Sequence, residues 1–311
     1  MGRLNVIAAV FTNTNGEFLL CQRPKGKVCA GFWEFPGGKI EEQESHFDAL
    51  KREIAEELKL NVLSAHPWLV REFTYPHANV RLHFWKVKKF AGVLNKSNME
   101  HDDFMWQSPF EALKVAPLLA ANHDIIQSLK IPEIAFITRA EIDGEEKAFA
   151  SLKNALLQHP RALIQIRDKN LKNRREFAQK VAKMVANFPQ SVLIINDDCE
   201  LATNIRADGI HLSSKSLKMS KKRPNFAFCG ASVHCAEEFK KAIALGVDYV
   251  FLSPVFSTQS HPNAKTLGEL GFAQMVKNTP IPVFALGGVQ FSHLEKLQYL
   301  SAHGIALLRG Y

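Results

Sequence analysis

From residue 131 onward the chain alternates short apolar runs with helix-forming segments, and no other feature constrains the fold as strongly. The runs are Ile134–Thr138, Ala162–Ile166, Val192–Ile195, Gly209–Leu212, Phe226–Gly230, Tyr249–Leu252, Pro282–Leu286 and Gly304–Leu308. Between them lie segments such as Arg174–Asn187 and Ala236–Leu245, read as helices. Strand–helix alternation implies parallel βα units, and eight of them predict a closed (β/α)8 barrel.

The first 130 residues have a different rhythm. Leu4–Phe11 and Phe18–Gln22 read as strands joined through Thr12-Asn13-Thr14-Asn15-Gly16, a hairpin signal. Val80–Val87 is another β-rich run, and Pro109–Leu113 and Leu118–Leu129 read as short helices. Ser45–Leu58 reads as a helix, with Phe47, Leu50, Ile54 and Leu58 at helical spacing and Ser45 placed to cap its start. The rhythm changes at Leu129-Lys130-Ile131-Pro132, so two α/β domains are expected, 1–130 and 131–311.

Composition narrows the function. A content of 46% hydrophobic and 23% charged residues is that of an ordinary globular chain. The balance of 39 basic against 31 acidic residues gives +8. The longest basic run is Lys221-Lys222-Arg223 and no basic-aromatic stripe is present, so small phosphorylated ligands are expected rather than a nucleic-acid duplex. No apolar run approaches the roughly 18 residues that span a bilayer, so no membrane partner is expected. Cys21, Cys29, Cys199, Cys229 and Cys235 form no CxxC pair, which fits reduced thiols in a cytoplasm.

The stretch Gly37–Leu60, GGKIEEQESHFDALKREIAEELKL, sets Glu44, Glu53, Glu56 and Glu57 around Arg52. At about 100° per residue, Glu53, Glu56 and Glu57 share an arc of roughly 100°, on the order of 130° from the apolar face. Three carboxylates on one exposed arc repel each other unless a cation sits among them. Upstream, Trp33-Glu34-Phe35-Pro36-Gly37-Gly38 is a turn whose glycines permit close backbone approach to a ligand.

This stretch resembles the signature of the Nudix hydrolases, Gx5Ex7REUxEExGU, at Gly38, Glu44, Arg52, Glu53, Ile54, Glu56, Glu57 and Leu60. Lys59 stands where the family has glycine, which points to a strained or shifted helix end rather than to lost chemistry. The resemblance implies an α/β/α sandwich and a Mg²⁺ or Mn²⁺ site held by Glu53, Glu56 and Glu57, with Gly38 and Glu100 as further contributors. It implies Glu53 and Glu57 as catalytic residues, Glu53 as the base, and an Arg52–Glu44 pair bracing loop against helix. Within the class the sequence is similar to the MutT type, which converts oxidised purine nucleoside triphosphates such as 8-oxo-dGTP to monophosphate and pyrophosphate. Arg23, Phe35, Gly37 and Asn122 then stand where that type binds its nucleotide. An amide both donates and accepts, so Asn122 suits a purine edge. Thiamine-related pyrophosphates are the other substrate class considered.

In the second part, Gln165, Arg167 and Lys169 alternate through LIQIRDKNL, from a strand past its C-terminal end, where barrels bind ligands. With LIINDDCELATNIRADGIHL, GASVH, DYVFLSPVFST and ALGG, they resemble thiamine-phosphate synthase and its TenI-like relatives across most of Ile134–Gly310. The resemblance implies phosphate binding by Gln165, Arg167, Lys169, Ser232, Gly287 and Gly288, with Asn196 and Asp198 at a metal-pyrophosphate site. Three departures count against synthase activity: Ser216 in place of a magnesium-binding aspartate, His261 in place of a lysine, and Leu307-Leu308-Arg309 in place of a small phosphate turn.

Overall fold

A computed structural model describes residues 4–75, 78–258 and 265–311, so His261 lies outside the described residues. The chain divides into two compact units, Met1–Lys130 with Asn278–Pro280, and Ile131–Lys277 with Ile281–Tyr311.

The first unit has six strands: β1 (Leu4–Phe11), β2 (Phe18–Gln22), β3 (Trp33–Glu34), β4 (Asn61–Tyr75), β5 (Ala78–Ala91) and β6 (Asp103–Gln107). One sheet has the order β1-β5-β4, with β1 parallel and β4 antiparallel to β5. The other is the antiparallel set β3-β2-β6. Successive residues of β1 bury opposite faces. Ile7, Ala9 and Phe11 pack with Leu50, Ile54 and Leu58 of helix α1 (His46–Leu58), while Ala8 and Val10 pack with Ile125, Ile126 and Leu129 of α2 (His123–Leu129). Two buried faces explain why β1 is apolar from Val6 to Phe11 and give the unit its α/β/α layering.

Two expectations for this unit are corrected. β1 and β2 do not form a hairpin ladder; they lie in different sheets, joined through an isolated Thr12–Phe18 bridge just past the end of β1. The loop after β3 takes the free edge of β1 instead: Ile7 N donates to Gly38 O, Ala9 N to Pro36 O, and Ile40 N to Asn5 O. Pro109–Leu113 is a turn rather than a helix. The buried Gln107 amide gathers that backbone, donating to Ser108 O and Ala112 O and accepting from Lys114 N, which removes the need for helical bonds.

The second unit is a closed parallel barrel. Its strands are β7 (Ile134–Ile137), β8 (Leu163–Ile166), β9 (Val192–Asn196), β10 (Gly209–Leu212), β11 (Phe228–Val233), β12 (Tyr249–Leu252), β13 (Val283–Leu286) and β14 (Gly304–Leu307). They pair in sequence order, and β14 closes on β7. Tyr249, Phe251, Phe284, Ile194 and Ala306 fill the interior, while Phe136, Ile164, Ile195 and Val250 face the helices outside. The fifth strand is displaced from the expected Phe226–Gly230. Arg223 donates to Pro224 O and Phe226 O and holds that stretch in a turn, so the ladder begins at Phe228 and runs through Ser232 to Val233. Among the described residues no helix is long and apolar enough to cross a membrane.

Candidate functional site

Helix α1 starts where Ser45 Oγ accepts from Asp48 N at 3.1 Å, and ends on Lys59 in the left-handed region at φ 56°. That fixed register sends its carboxylates to different environments. Glu57 is buried, Glu53 is half-buried, and Glu56 is exposed, so the expectation of one exposed arc is corrected. The cause is the turn before the helix. Gly37 N donates to Glu57 Oε2 at 2.9 Å, pulling that carboxylate inward. Gly38 lies so close to Glu53 that a Cβ there would stand 2.2 Å from Glu53 Oε2. Gly37 adopts φ 147°, and a side chain would strike Ile7 O. Both glycines are therefore required by close approach.

Arg52 is the hub of the cluster. Nε and Nη2 reach both Glu44 oxygens at 3.0 and 2.9 Å, Nη1 reaches Glu53 at 2.8 Å and Glu56 at 3.4 Å, and Nη2 also donates to Lys39 O. Glu44, hydrogen-bonded to Arg52, is held below the usual carboxylate range, and the guanidinium is raised in turn. Glu53 is pushed up by burial; Arg52 opposes this, and the charges of Glu57 and Glu56 add to it.

Among the described residues no three Asp, Glu, His or Cys side chains converge on one cation position. Arg52 and the Gly37 amide draw the oxygens toward separate partners. The donor set nevertheless fits a hard divalent ion. Its oxygens are carboxylates, and the repulsion of Glu53 by Glu57 and Glu56 is what such a charge offsets. Mg²⁺ keeps several waters and takes only one or two carboxylates, so it needs no closed cage.

The remaining expected residues of this unit fall in three places. Glu100 is bound through its backbone, its N donating to Glu57 O at 2.8 Å, while its side chain lies 3.5 Å from Lys27. Gly38 O already accepts from Ile7 N. Arg23 is paired with both Glu34 oxygens at 2.6 and 2.7 Å, and Phe35 is a core residue between Phe18 and Phe84. Asn122 is buried at the start of α2 yet makes no capping hydrogen bond, which rules out the bland role of a capping asparagine. His101 was not found from the sequence: it is 4% exposed and its Nε2 lies 3.1 Å from Glu57 Oε2.

At the C-terminal ends of the barrel strands a cavity of about 470 Å³ is lined by Arg167, Lys169, Asn196, Ser213, Ser214, Lys215, Ser232 and His234, among others. Gln165 donates to Asn196, and Asn196 donates to Asp197. Asp197 also receives Lys169 and Ser213 N. Burial pushes the Asp197 carboxyl up, but Lys169, the Ser213 amide and the Ser216 and Ser213 hydroxyls outweigh it and hold it at about 2. Asp198 faces elsewhere: it caps the next helix through Leu201 N and pairs with Arg174 at 2.7 Å. Sequence reading singled out Asp198 and passed over Asp197, whose φ of 59° breaks strand alternation just after Asn196. Ser232 Oγ lies 2.9 Å from Nε2 of the buried His211. Gly287 and Gly288 form a left-handed turn packed against Pro254–Ser257, where a Cβ on Gly288 would stand 2.5 Å from Ser257 O.

The barrel and the acidic helix each answer to a known family. Residues 134–311 match the thiamine monophosphate synthase family and residues 7–128 match the NUDIX domain. The chain therefore belongs to the thiamine monophosphate synthase family and carries a NUDIX domain ahead of that barrel. The thiamine-phosphate synthase of Fusobacterium nucleatum is 30% identical over 153 residues, 48% of this chain and 74% of that protein. The solution structure of the E. coli ORF135 protein is 32% identical, covering 50% of this chain and 94% of that one, with a TM-score of 0.36. A MutT NUDIX hydrolase from Burkholderia pseudomallei is 22% identical, covering 41% and 98%, with a TM-score of 0.37.

Proposed function

We propose that the NUDIX unit hydrolyses purine nucleoside triphosphates, oxidised ones such as 8-oxo-dGTP foremost, to monophosphate and pyrophosphate. The single observation that carries this is the half-buried Glu53 carboxyl pressed against Gly38 and held by Arg52, with Glu56 on the same arginine and Glu57 on the Gly37 amide. Glu53, Glu56 and Glu57 would hold Mg²⁺ or Mn²⁺, with Glu100 and Gly38 O as further contributors; when bound, the ion neutralises the phosphoryl oxygens. Glu53 takes the proton of the attacking water through a carboxylate oxygen. Water oxygen bonds to a phosphorus of the α–β bridge, the bond from that phosphorus to the bridging oxygen breaks, and monophosphate and pyrophosphate are the products. Arg52 holds Glu53 in place, and Glu44 holds Arg52. Asn122 reads the purine edge with its amide, which is not spent on capping α2, and Arg23, Phe35 and Gly37 shape that end. The test is a panel of normal and oxidised dNTPs with product analysis. Monophosphate plus pyrophosphate, fastest with 8-oxo-dGTP and lost in Glu53→Gln, is expected; equal turnover of all bases or an active Glu53→Gln refutes it.

The barrel mouth favours a second role, the binding of thiamine-related phosphates, since Arg167, Lys169 and serine hydroxyls line one cavity. Gln165, Asn196, Gly287 and Gly288 complete the phosphate contacts. The hydroxyls and Lys169 spent on Asp197 argue for binding without full synthase turnover. Full-length protein should bind thiamine phosphate in calorimetry and form none from pyrimidine pyrophosphate and thiazole phosphate; steady synthesis would overturn that.

A further inference from the structure

We infer that His101 is a positioning residue that fixes Glu57 as a one-oxygen ligand for the divalent cation; this rests on the hydrolase reading above. Its ring is 4% exposed, and Nε2 stands 3.1 Å from Glu57 Oε2. A carboxylate oxygen only accepts, so Nε2 carries the proton in this pair. Nδ1 is buried with no hydrogen-bond partner, so the bond to Glu57 is the ring's sole polar anchor among the described residues. Gly37 N donates to the same oxygen at 2.9 Å. Two donors thus converge on Oε2, one from the turn before α1 and one from the loop before β6, and no described donor reaches Oε1. Just before the histidine, Glu100 N donates to Glu57 O at 2.8 Å. Side chain and backbone together tie this loop to the last turn of α1.

The consequence is directional. With Oε2 held from two sides the carboxylate cannot rotate, and Oε1 is the oxygen left to meet a cation. Without His101 only the Gly37 amide restrains the group, and the carboxylate can swing or be drawn to other donors. Groups that orient a metal ligand typically change metal affinity by about 10–100-fold when removed.

The test is titration of Mn²⁺ alone into the full chain, followed by electron paramagnetic resonance, for wild type, Glu57→Gln, His101→Gln and His101→Asn. A glutamine can place its amide N–H where Nε2 stands, whereas an asparagine reaches only the Nδ1 position. Thermal unfolding reports separately whether each variant is folded. Expected are Mn²⁺ binding in wild type that Glu57→Gln removes, binding at least tenfold weaker in His101→Asn, and binding within threefold of wild type in His101→Gln. Equal affinity in all the His101 variants overturns the inference and leaves the hydrolase reading standing. Equal loss in both folded His101 variants also overturns it, because ring shape rather than the donor would then matter. Wild-type protein with no Mn²⁺ site sensitive to Glu57→Gln overturns both.

Discussion

Gly38→Ala should separate catalysis from folding. The new Cβ would meet Glu53 Oε2 at 2.2 Å, Cδ at 2.3 Å and Oε1 at 2.4 Å, all at the far end of a flexible side chain. The φ of Gly38 lies outside the left-handed region, so alanine adds no backbone strain there. The carboxylate must retreat by about 1.2 Å to reach ordinary contact distance, and it leaves the Arg52 geometry as it does so. A displacement of about 1 Å at a reacting group costs on the order of 100-fold in rate, or about 2.7 kcal/mol of transition-state stabilisation. Thermal unfolding should shift little. Gly37→Ala is the contrast, because its Cβ would stand 2.1 Å from the Ile7 carbonyl at a φ of 147°, and backbone cannot yield as a side-chain tip does. That variant should lose stability outright. Steady-state hydrolysis and urea unfolding of both proteins decide the matter. A fully active Gly38→Ala, or one as unstable as Gly37→Ala, would refute the reasoning.

Two further predictions concern stability. Lys59 holds φ 56° at the end of α1, and its Nζ donates to Glu56 O at 2.7 Å. Lys59→Gly relieves the left-handed strain and gives up that exposed bond, for a net gain of about 0.5–1 kcal/mol in urea unfolding; a loss would show the lysine contact to be the larger effect. His211 is held at about 3 by burial, with Asp197 opposing and Arg167 and Lys169 adding. Below its ordinary value near 6.5 the unfolded chain takes up a proton that the folded chain refuses. Its contribution is therefore intact above about pH 6.5 and falls away, by about 1.4 kcal/mol per pH unit, as pH drops toward 3. Unfolding free energies at pH 7.5 and 5 should differ less in His211→Gln than in wild type; an unchanged difference would remove His211 as the source.

What the sequence disclosed depended on how local the signal was. The barrel strands read well because each is a short run whose residues are buried inside or against helices, and seven of the eight lay within a residue or two of expectation. Helix α1 read to its cap, since Ser45 and the Phe47/Leu50/Ile54/Leu58 spacing are local. The hairpin of β1 and β2 failed because its turn signal is also local, while the partner of β1 is β5, 76 positions on. Buried Gln107 defeated a helix that its own neighbours favoured. At the sites, the arginine–glutamate cluster was legible from one segment. His101 was not, because a lone histidine in a loop carries no period, and its partner Glu57 is 44 residues away. Asp197 was overlooked beside Asp198 because only backbone geometry says which of two neighbouring aspartates turns into the mouth.

The closing seam of the barrel bears on how the protein is made. β14 comes last of the eight barrel strands in chain order, and it supplies the edge that pairs with β7, the first. Gly304 lies so tightly against Glu133 that a Cβ would stand 1.7 Å from its carbonyl oxygen, and Ile305 N donates to that same oxygen. A ring sealed by β14 cannot close before that strand has been made, whereas the strands described for the first unit end at Gln107. The barrel is thus expected to close later than the first unit, once β14 is available to pair with β7. A chain ended before β14 should leave seven barrel strands with two open edges, a species prone to aggregate through strand pairing.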